Sequence, residues 1–346
     1  MIIIFQLLSL KFFQFEKFQL FEFSFLILFS LLGICFLISS NNFFTFYLAL
    51  ELQSFCFYIL SAMRRYSNLS VEAALKYFIL GAFSSSVFLF GSSLIYGALG
   101  TLNFSDIQVL LSSYHSFYET DKLVVVGSLF ILVGFLFKIG SVPFHFWIAD
   151  VYEGSPLITT SFFAIVPKIS FSFVLFFIYS FTFSALSYLL VDILMFSALS
   201  SISLGILYAL YQTKIKRLIA YSAITHVGYI LFALFQGSVE GFQALFIYFF
   251  IYIMTSFNLF CLLLIFRQSK TFYKLRKLVD FSFLLKSNYI LSVMFVFILL
   301  SLAGIPPLAG FFGKFMVFLS VIQFNNYFVL FFLVLCTAAS AIYYLS

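Results

Sequence analysis

The sequence predicts an all-α polytopic membrane protein of about ten transmembrane helices, arranged as two inverted five-helix repeats, each with a broken fourth helix. Three observations carry that expectation. Hydrophobic residues make up 64% of the 346 and charged residues only 9%. Apolar runs of about 20 residues, the length that crosses a bilayer, recur along the chain. Two of those runs are interrupted by proline close to a lysine.

Reading apolar runs against polar punctuation places helices at roughly 23–39, 43–63, 72–98, 122–147, 157–182, 185–211, 216–236, 239–266, 287–320 and 327–345. Residues 1–22 mix Phe and Leu with Lys11, Glu16, Lys17 and Glu22, and their polar positions do not gather on one helical face. That segment is expected at the membrane interface. No basic region followed by a short apolar core and small-residue cleavage site precedes the first run, so the chain is expected to insert uncleaved. Phe alone supplies 57 residues, which suggests the coding bias of an AT-rich genome such as an organelle's.

If every run crosses once, the N-terminus and loops 64–71, 148–156, 212–215 and 267–286 share one side. At or beside that side lie Lys11, Lys17, Arg64, Arg65, Lys214, Lys216, Arg217, Arg267, Lys270, Lys274, Arg276, Lys277 and Lys286, against Lys122 alone on the other. Lys76, Lys138, Lys168 and Lys314 complete the 18 basic residues. The asymmetry marks the basic side as matrix or cytoplasm and agrees with the ten-run count.

Two runs are abnormal. The ninth, at 34 residues, would extend about 51 Å as a helix, well beyond a hydrocarbon core of about 30 Å. It contains "SLAGIPPLAGFFGKF", where Pro306 and Pro307 remove two amide donors and nearby glycines permit a bend. The fourth run is broken likewise at Pro143 in "KIGSVPFHFW". Dividing the chain into an interfacial segment 1–22, a first repeat 23–182 and a second repeat 185–346 makes the broken helix the fourth of each five. Because five is odd, the halves enter the membrane oppositely, the layout of transporters with discontinuous helices at an ion site.

Ionisable residues inside such spans mark candidate chemistry. Glu51 is the ninth residue of its run, and Lys138, Lys168 and Lys314 are also deep. Charges at a helix centre cost about 2.5 to 3.5 kcal/mol each on insertion scales, so the four together cost about 10 kcal/mol or more against lipid. They must face inward, where desolvation and gain or loss of a carboxylate partner let a lysine bind and release a proton. Plainer readings stand beside these. A Glu51–Lys138 pair that only locks helices is one, although buried pairs are poor stabilisers. Lys168 after Pro167, and Lys314 after Pro307, have the alternative of satisfying carbonyls freed by proline. His226, among Ser222, Thr225 and Tyr229, reads either as a relay or as a hydrogen-bonded packing residue. Lys76 lies about a turn into its helix and is expected to snorkel. His145, Asp150 and Glu153 are expected to shape the loop after the fourth run.

Other chemistry finds no support. Cys35, Cys56, Cys261 and Cys336 lie far apart in apolar segments, giving neither a disulfide nor a metal site. No phosphate loop, nucleophile elbow or haem-attachment motif is present, and the basic residues form no stripe suited to nucleic acid.

The stretches "VEAALKYFILGAFSSSVFLFGSSLIYGALGT", "KIGSVPFHFWIADVYEGSPLITTSFFAIVPK", "KIKRLIAYSAITHVGYIL" and "SLAGIPPLAGFFGKF" closely resemble the chain 2 family of respiratory NADH:ubiquinone oxidoreductase, complex I, of the mitochondrial and bacterial type. The likeness runs from about residue 23 to the end. The sister families, chains 4 and 5, usually read "PDAMEAPTPVSALIHAAT" where this chain has "ADVYEGSPLITTSFFAIVPK", and chain 4 usually has a glutamate in place of Lys314.

The resemblance implies an antiporter-like, proton-translocating subunit of the membrane arm of that enzyme. It holds no cofactor itself; NAD, FMN, iron–sulfur clusters and ubiquinone belong to other subunits. By motif, Glu51 matches the family's membrane glutamate, Lys138 its partner on the broken helix, Lys168 the central relay lysine, His226 a relay histidine and Lys314 the terminal lysine. Electron transfer elsewhere is expected to change the Glu51–Lys138 interaction, with proton occupancy then passing through Lys168 and His226 to Lys314. The resemblance also implies the mitochondrial inner membrane, basic loops and N-terminus toward the matrix, lipid contacts, and chains 4L and 4 as flanking partners. Relative to fourteen-helix members, three helices before the first run and one after the last are expected to be absent, with a split gene as one origin. The alternatives are a subunit of a multi-subunit cation/proton antiporter and a non-pumping structural spacer.

Overall fold

A computed structural model describes residues 21–113, 122–268, 277–283, 289–323 and 326–345. In chain order the helices are α1 (Phe21–Ser39), α2 (Phe43–Ser61), α3 (Asn68–Leu99), α4 (Phe104–Ser113), α5 (Lys122–Ile139), α6 (Phe146–Gly154), α7 (Leu157–Phe177), α8 (Ser187–Leu210), α9 (Ile215–Phe235), α10 (Val239–Gln268), α11 (Tyr289–Ala303), α12 (Ala309–Gln323) and α13 (Tyr327–Leu345). A π turn, Ile178–Thr182, extends α7. Among the described residues no strand interrupts the helices beyond two isolated bridges, Asn42 with Asn103 and Lys214 with Lys277.

Nine helices among the described residues are long and apolar enough to cross a membrane, and the chain is a multi-pass membrane protein. The run 287–320 instead forms two 15-residue helices, α11 and α12. At about 1.5 Å per residue neither spans the core alone. The run 122–147 ends as a helix at Ile139 and resumes as α6. The other runs lie within a few residues of their expected places, except that α3 begins at Asn68. Lys76 therefore sits two turns into α3, where its Nζ pairs with Glu72 Oε1 at 2.7 Å, one turn back. Of the segment 1–22, residues 1–20 lie outside the described residues; Phe21 and Glu22 open α1, and Glu22 pairs with Arg65 at 3.6 Å.

One helix was not anticipated. In α4, Phe104, Ile107 and Leu111 are buried at helical spacing. Asn42 organises the approach to it. The Asn42 side chain caps α2 by accepting from the Phe44 amide at 2.8 Å and donates to Asn103 at 3.1 Å. Backbone bonds from Phe43 to Leu102 and from Phe104 to Asn41 close the same turn pair.

The described residues fall into two compact units. One comprises Leu20–Trp147 with Gly154–Ile193; its core sets Phe43 edge-on to Phe104 and packs Phe46 at a tilt against both Phe88 and Phe135, at centroid distances of 4.8, 5.3 and 5.3 Å. The other comprises Ile148–Glu153 and Leu194–Ser346, and its centre is α9, the most enclosed of the nine spans.

Close backbone approach sets the position of α5 in the first unit. A Cβ on Gly91 of α3 would stand 2.7 Å from the Gly127 carbonyl, and one on Gly127 would stand 2.8 Å from that of Gly91. Small residues at such a crossing let membrane helices pack backbone to backbone. Gly127→Val is therefore expected to destabilise the protein by about 1 to 3 kcal/mol, since no flexible side chain can yield. Thermal unfolding in detergent, compared with that of the original chain, checks this.

Candidate functional site

The first break is built by a glycine and a tryptophan. Gly140 adopts φ +78°, a left-handed conformation open to glycine, and the amides of Gly140 and Ser141 both donate to the Leu136 carbonyl at 3.0 Å. Trp147, in α6, donates its indole N–H to the Phe137 carbonyl at 3.1 Å and stacks on Tyr77 at 4.7 Å. The end of α5 thus has its carbonyls satisfied although Pro143 prevents the helix from continuing. Lys138 sits in that last turn, where the helix dipole favours a cation.

Glu51, midway along α2, is the carboxylate whose charge acts on Lys138. Its Oε2 accepts from Ser54 at 3.2 Å, while Oε1 is buried without a hydrogen-bond partner among the described residues. Glu51 and Lys138 form no direct ion pair among the described residues. Lys168 follows Pro167 inside α7 and is only 5% exposed. Ser170 takes the Pro167 carbonyl at 2.9 Å. Glu51, Lys138 and Lys168 all belong to the first unit.

The second break repeats the first in its backbone chemistry. Gly304 adopts φ +84°, and the Gly304 and Ile305 amides donate to the Leu300 carbonyl at 3.1 and 3.2 Å. Proline again stands three residues beyond the glycine, Pro143 after Gly140 and Pro307 after Gly304, with Pro306 beside it. Lys314, in α12 and 3% exposed, reaches back to this break: Nζ donates to the Ala303 carbonyl at 2.7 Å and to Ser340 Oγ at 3.3 Å, and lies 5.6 Å from the centroid of Tyr229. The plainer expectation for Lys314, that it satisfies a carbonyl freed at the break, is what this geometry shows.

His226, in α9 and 5% exposed, has a phenol at each ring nitrogen: Tyr248 Oη at 2.7 Å from Nδ1 and Tyr344 Oη at 3.3 Å from Nε2. Tyr252 packs on the imidazole at 4.9 Å, and Tyr229 lies 5.7 Å from Tyr248. His226 and Lys314 thus share one aromatic cluster within the second unit. Sequence reasoning named Tyr229 only as a neighbour and missed Tyr248, Tyr252 and Tyr344. The one available signal was the spacing of Tyr248 and Tyr252, one turn apart on a single face of α10.

Asp150 and Glu153, expected to shape a loop, lie in α6 and tie it to the start of α9. Arg217 donates to Asp150 at 3.2 Å, and both Arg217 and Lys214 bond to Glu153. Burial works against a charge on Glu153, but Lys214 and Arg217 outweigh it and hold the carboxyl below its ordinary range. His145, 8% exposed, stacks on Phe146 at 4.8 Å in the loop of the first break.

A family model described as "NADH:quinone oxidoreductase/Mrp antiporter, TM" matches residues 40–340. NADH-ubiquinone oxidoreductase chain 2 of Oenothera berteroana is 46% identical over 319 residues, covering 92% of this chain and 64% of that protein. The protein of the same description from Marchantia polymorpha is 43% identical over 345 residues, covering 98% of this chain and 68% of the relative. A chain of respiratory complex I from Thermus thermophilus with bound aureothin superposes with a TM-score of 0.76 at 33% identity, covering 94% of this chain and 69% of that one. The chain thus spans about two thirds of the length of these relatives.

The contact between the second break and Lys314 yields a test. A Cβ on Gly304 would stand 2.8 Å from Lys314 Cδ and would also oppose the left-handed backbone. Gly304→Ala is expected to cost about 1 to 2 kcal/mol from the backbone alone. Chemical denaturation in detergent measures it, and Gly97→Ala, where a Cβ meets nothing within 4 Å, serves as the control.

Proposed function

The chain belongs to the NADH:quinone oxidoreductase/Mrp antiporter transmembrane family, and from that membership we propose that it is an antiporter-like, proton-translocating subunit of respiratory complex I. It works there as part of NADH:ubiquinone reductase while carrying no redox group. NAD, FMN, iron–sulfur clusters and ubiquinone are bound by other subunits, and chains 4L and 4 flank this one in the membrane arm. Its relatives among plant chain 2 proteins support a place in the mitochondrial inner membrane. The basic loops and N-terminus face the matrix.

The observation that carries the reading is the series of ionisable side chains inside the spans. Lys168, His226 and Lys314 are each no more than 5% exposed, and the Glu51 carboxylate bears electrostatically on Lys138 with no direct ion pair among the described residues. Charges so placed are expensive, and in membrane proteins they mark ion and proton pathways. Glu51 and Lys138 form the input: drawing the carboxylate closer favours the ammonium, and withdrawing it lets the lysine release its proton. Lys168 and His226 relay the proton and Lys314 is the terminal group, the order the family resemblance implies. The Oε1 of Glu51 and the buried Tyr229 hydroxyl, without hydrogen-bond partners among the described residues, are sites that ordered water would satisfy, and water carries protons across gaps too long for direct transfer.

Residues 23–182 and 185–346 act as inverted repeats. The shared glycine, carbonyl closure and proline at Gly140–Pro143 and Gly304–Pro307 support that pairing. Lys314 combines both of its expected roles, because the ammonium that bonds the Ala303 carbonyl gives up that bond's charge assistance when it loses its proton. Moving a proton against the membrane potential costs about 2.3 kcal/mol per 100 mV, so the driving reaction is the redox chemistry of the other subunits.

The test is Lys138→Ala in the assembled complex, reconstituted in sealed vesicles. Assembly is expected to persist while the number of protons translocated per NADH oxidised falls. An unchanged ratio would refute the assignment.

A further inference from the structure

Deepening the relay reading of His226, and resting on it, we propose that Tyr248, His226 and Tyr344 form a single proton-transfer unit. In it, one phenol delivers a proton to one imidazole nitrogen while the other phenol takes a proton from the opposite nitrogen.

The argument begins from hydrogen-bond inventory. A neutral imidazole has one N–H donor and one acceptor nitrogen, whereas a phenol hydroxyl both donates and accepts. With Tyr248 Oη 2.7 Å from Nδ1 and Tyr344 Oη 3.3 Å from Nε2, both contacts are satisfied only if one tyrosine donates and the other accepts. The triplet therefore has a direction. Two arrangements are possible, with Nε2–H or Nδ1–H as the protonated nitrogen, and passing from one to the other carries a proton across the ring.

All three residues are enclosed, at 5%, 3% and 7% exposure for His226, Tyr248 and Tyr344. A histidine kept only for packing needs no hydroxyl at both edges, and phenylalanine in place of either tyrosine would fill nearly the same volume. The cluster also continues to a cation, since Tyr229 lies beside Tyr248 and beneath the Lys314 ammonium. Tyr252 packs on the imidazole at 4.9 Å and completes the enclosure.

The step balances as follows. A proton from water forms a new O–H bond on Tyr248, whose own hydroxyl proton breaks away and forms the Nδ1–H bond. The Nε2–H bond breaks, its proton forms an O–H bond on Tyr344, and the proton already on Tyr344 leaves to water. One proton enters, one leaves, and all three groups end neutral with both hydrogen bonds reversed. Reorientation of the hydroxyls and imidazole resets the unit. Transfer in the opposite direction runs the same bonds backwards.

The experiment uses the assembled complex in sealed vesicles, with this chain carrying Tyr248→Phe, Tyr344→Phe or His226→Gln. Two readouts are taken: the rate of proton translocation during NADH oxidation, and the histidine isotope-edited infrared bands that distinguish Nδ1–H from Nε2–H imidazole. Each tyrosine variant is expected to assemble, to slow translocation about tenfold or more, and to collapse the histidine bands to one tautomer. His226→Gln is expected to slow translocation comparably. If His226→Gln slows translocation but neither tyrosine variant does, the unit is overturned while the relay role of His226 stands. If His226→Gln leaves translocation unchanged, the relay reading itself fails and the proposal with it. A tyrosine variant that slows translocation with the tautomer bands unaltered also overturns the proposal, because the loss then does not act through the imidazole.

Discussion

An ammonium group inside a bilayer has to find its partners within the protein, and that requirement organises the uncommon features of this chain. Left facing lipid, its deep charges would together cost about as much as a domain's whole net stability. The fold meets the cost in two ways. It places a carboxylate within electrostatic reach of Lys138, and it exposes a helix-end carbonyl to Lys314 at 2.7 Å. Both lysines stand beside a helix break, α5 ending at Ile139 and α11 at Ala303.

Stopping a helix there leaves carbonyls unsatisfied where no bulk water can reach them. The two breaks use the same backbone answer, a left-handed glycine whose following amide closes on the carbonyl five residues back. They then differ in which side chain finishes the work. Trp147 supplies an uncharged donor to the Phe137 carbonyl at the first break, which leaves Lys138 available to Glu51. At the second, the lysine itself is the donor. The difference is consistent with the proposed division of labour, in which Lys138 responds to Glu51 and Lys314 ends the relay.

Much of this was legible in one dimension because the controlling physics is local. Apolar length marks a span, proline after a permissive glycine marks a break, and charge inside a span marks a site, so Pro143, Pro306, Pro307 and the buried lysines stand out without coordinates. What was not legible is long-range. Tyr248 and Tyr344 are 22 and 118 residues from His226, and tyrosine in a membrane chain with 21 of them carries no positional signal of its own. The helix α4 was missed for a different reason: its buried spacing of Phe104, Ile107 and Leu111 is readable, but the segment is too short and polar to register as a span. Likewise, Asp150 and Glu153 acquire a role only once α9 brings Arg217 to them.

The account turns on buried ammonium groups that exchange protons rather than merely hold helices in place. Lys168 tests this directly, since it is enclosed within α7 at 5% exposure and a role limited to holding the helix would leave the translocated charge unchanged. Lys168→Met keeps the length and apolar stem while removing the titrating group. The measurement is the number of protons translocated per NADH oxidised by the assembled complex in sealed vesicles. The account predicts a lowered ratio in a complex that still assembles; an unchanged ratio would contradict it.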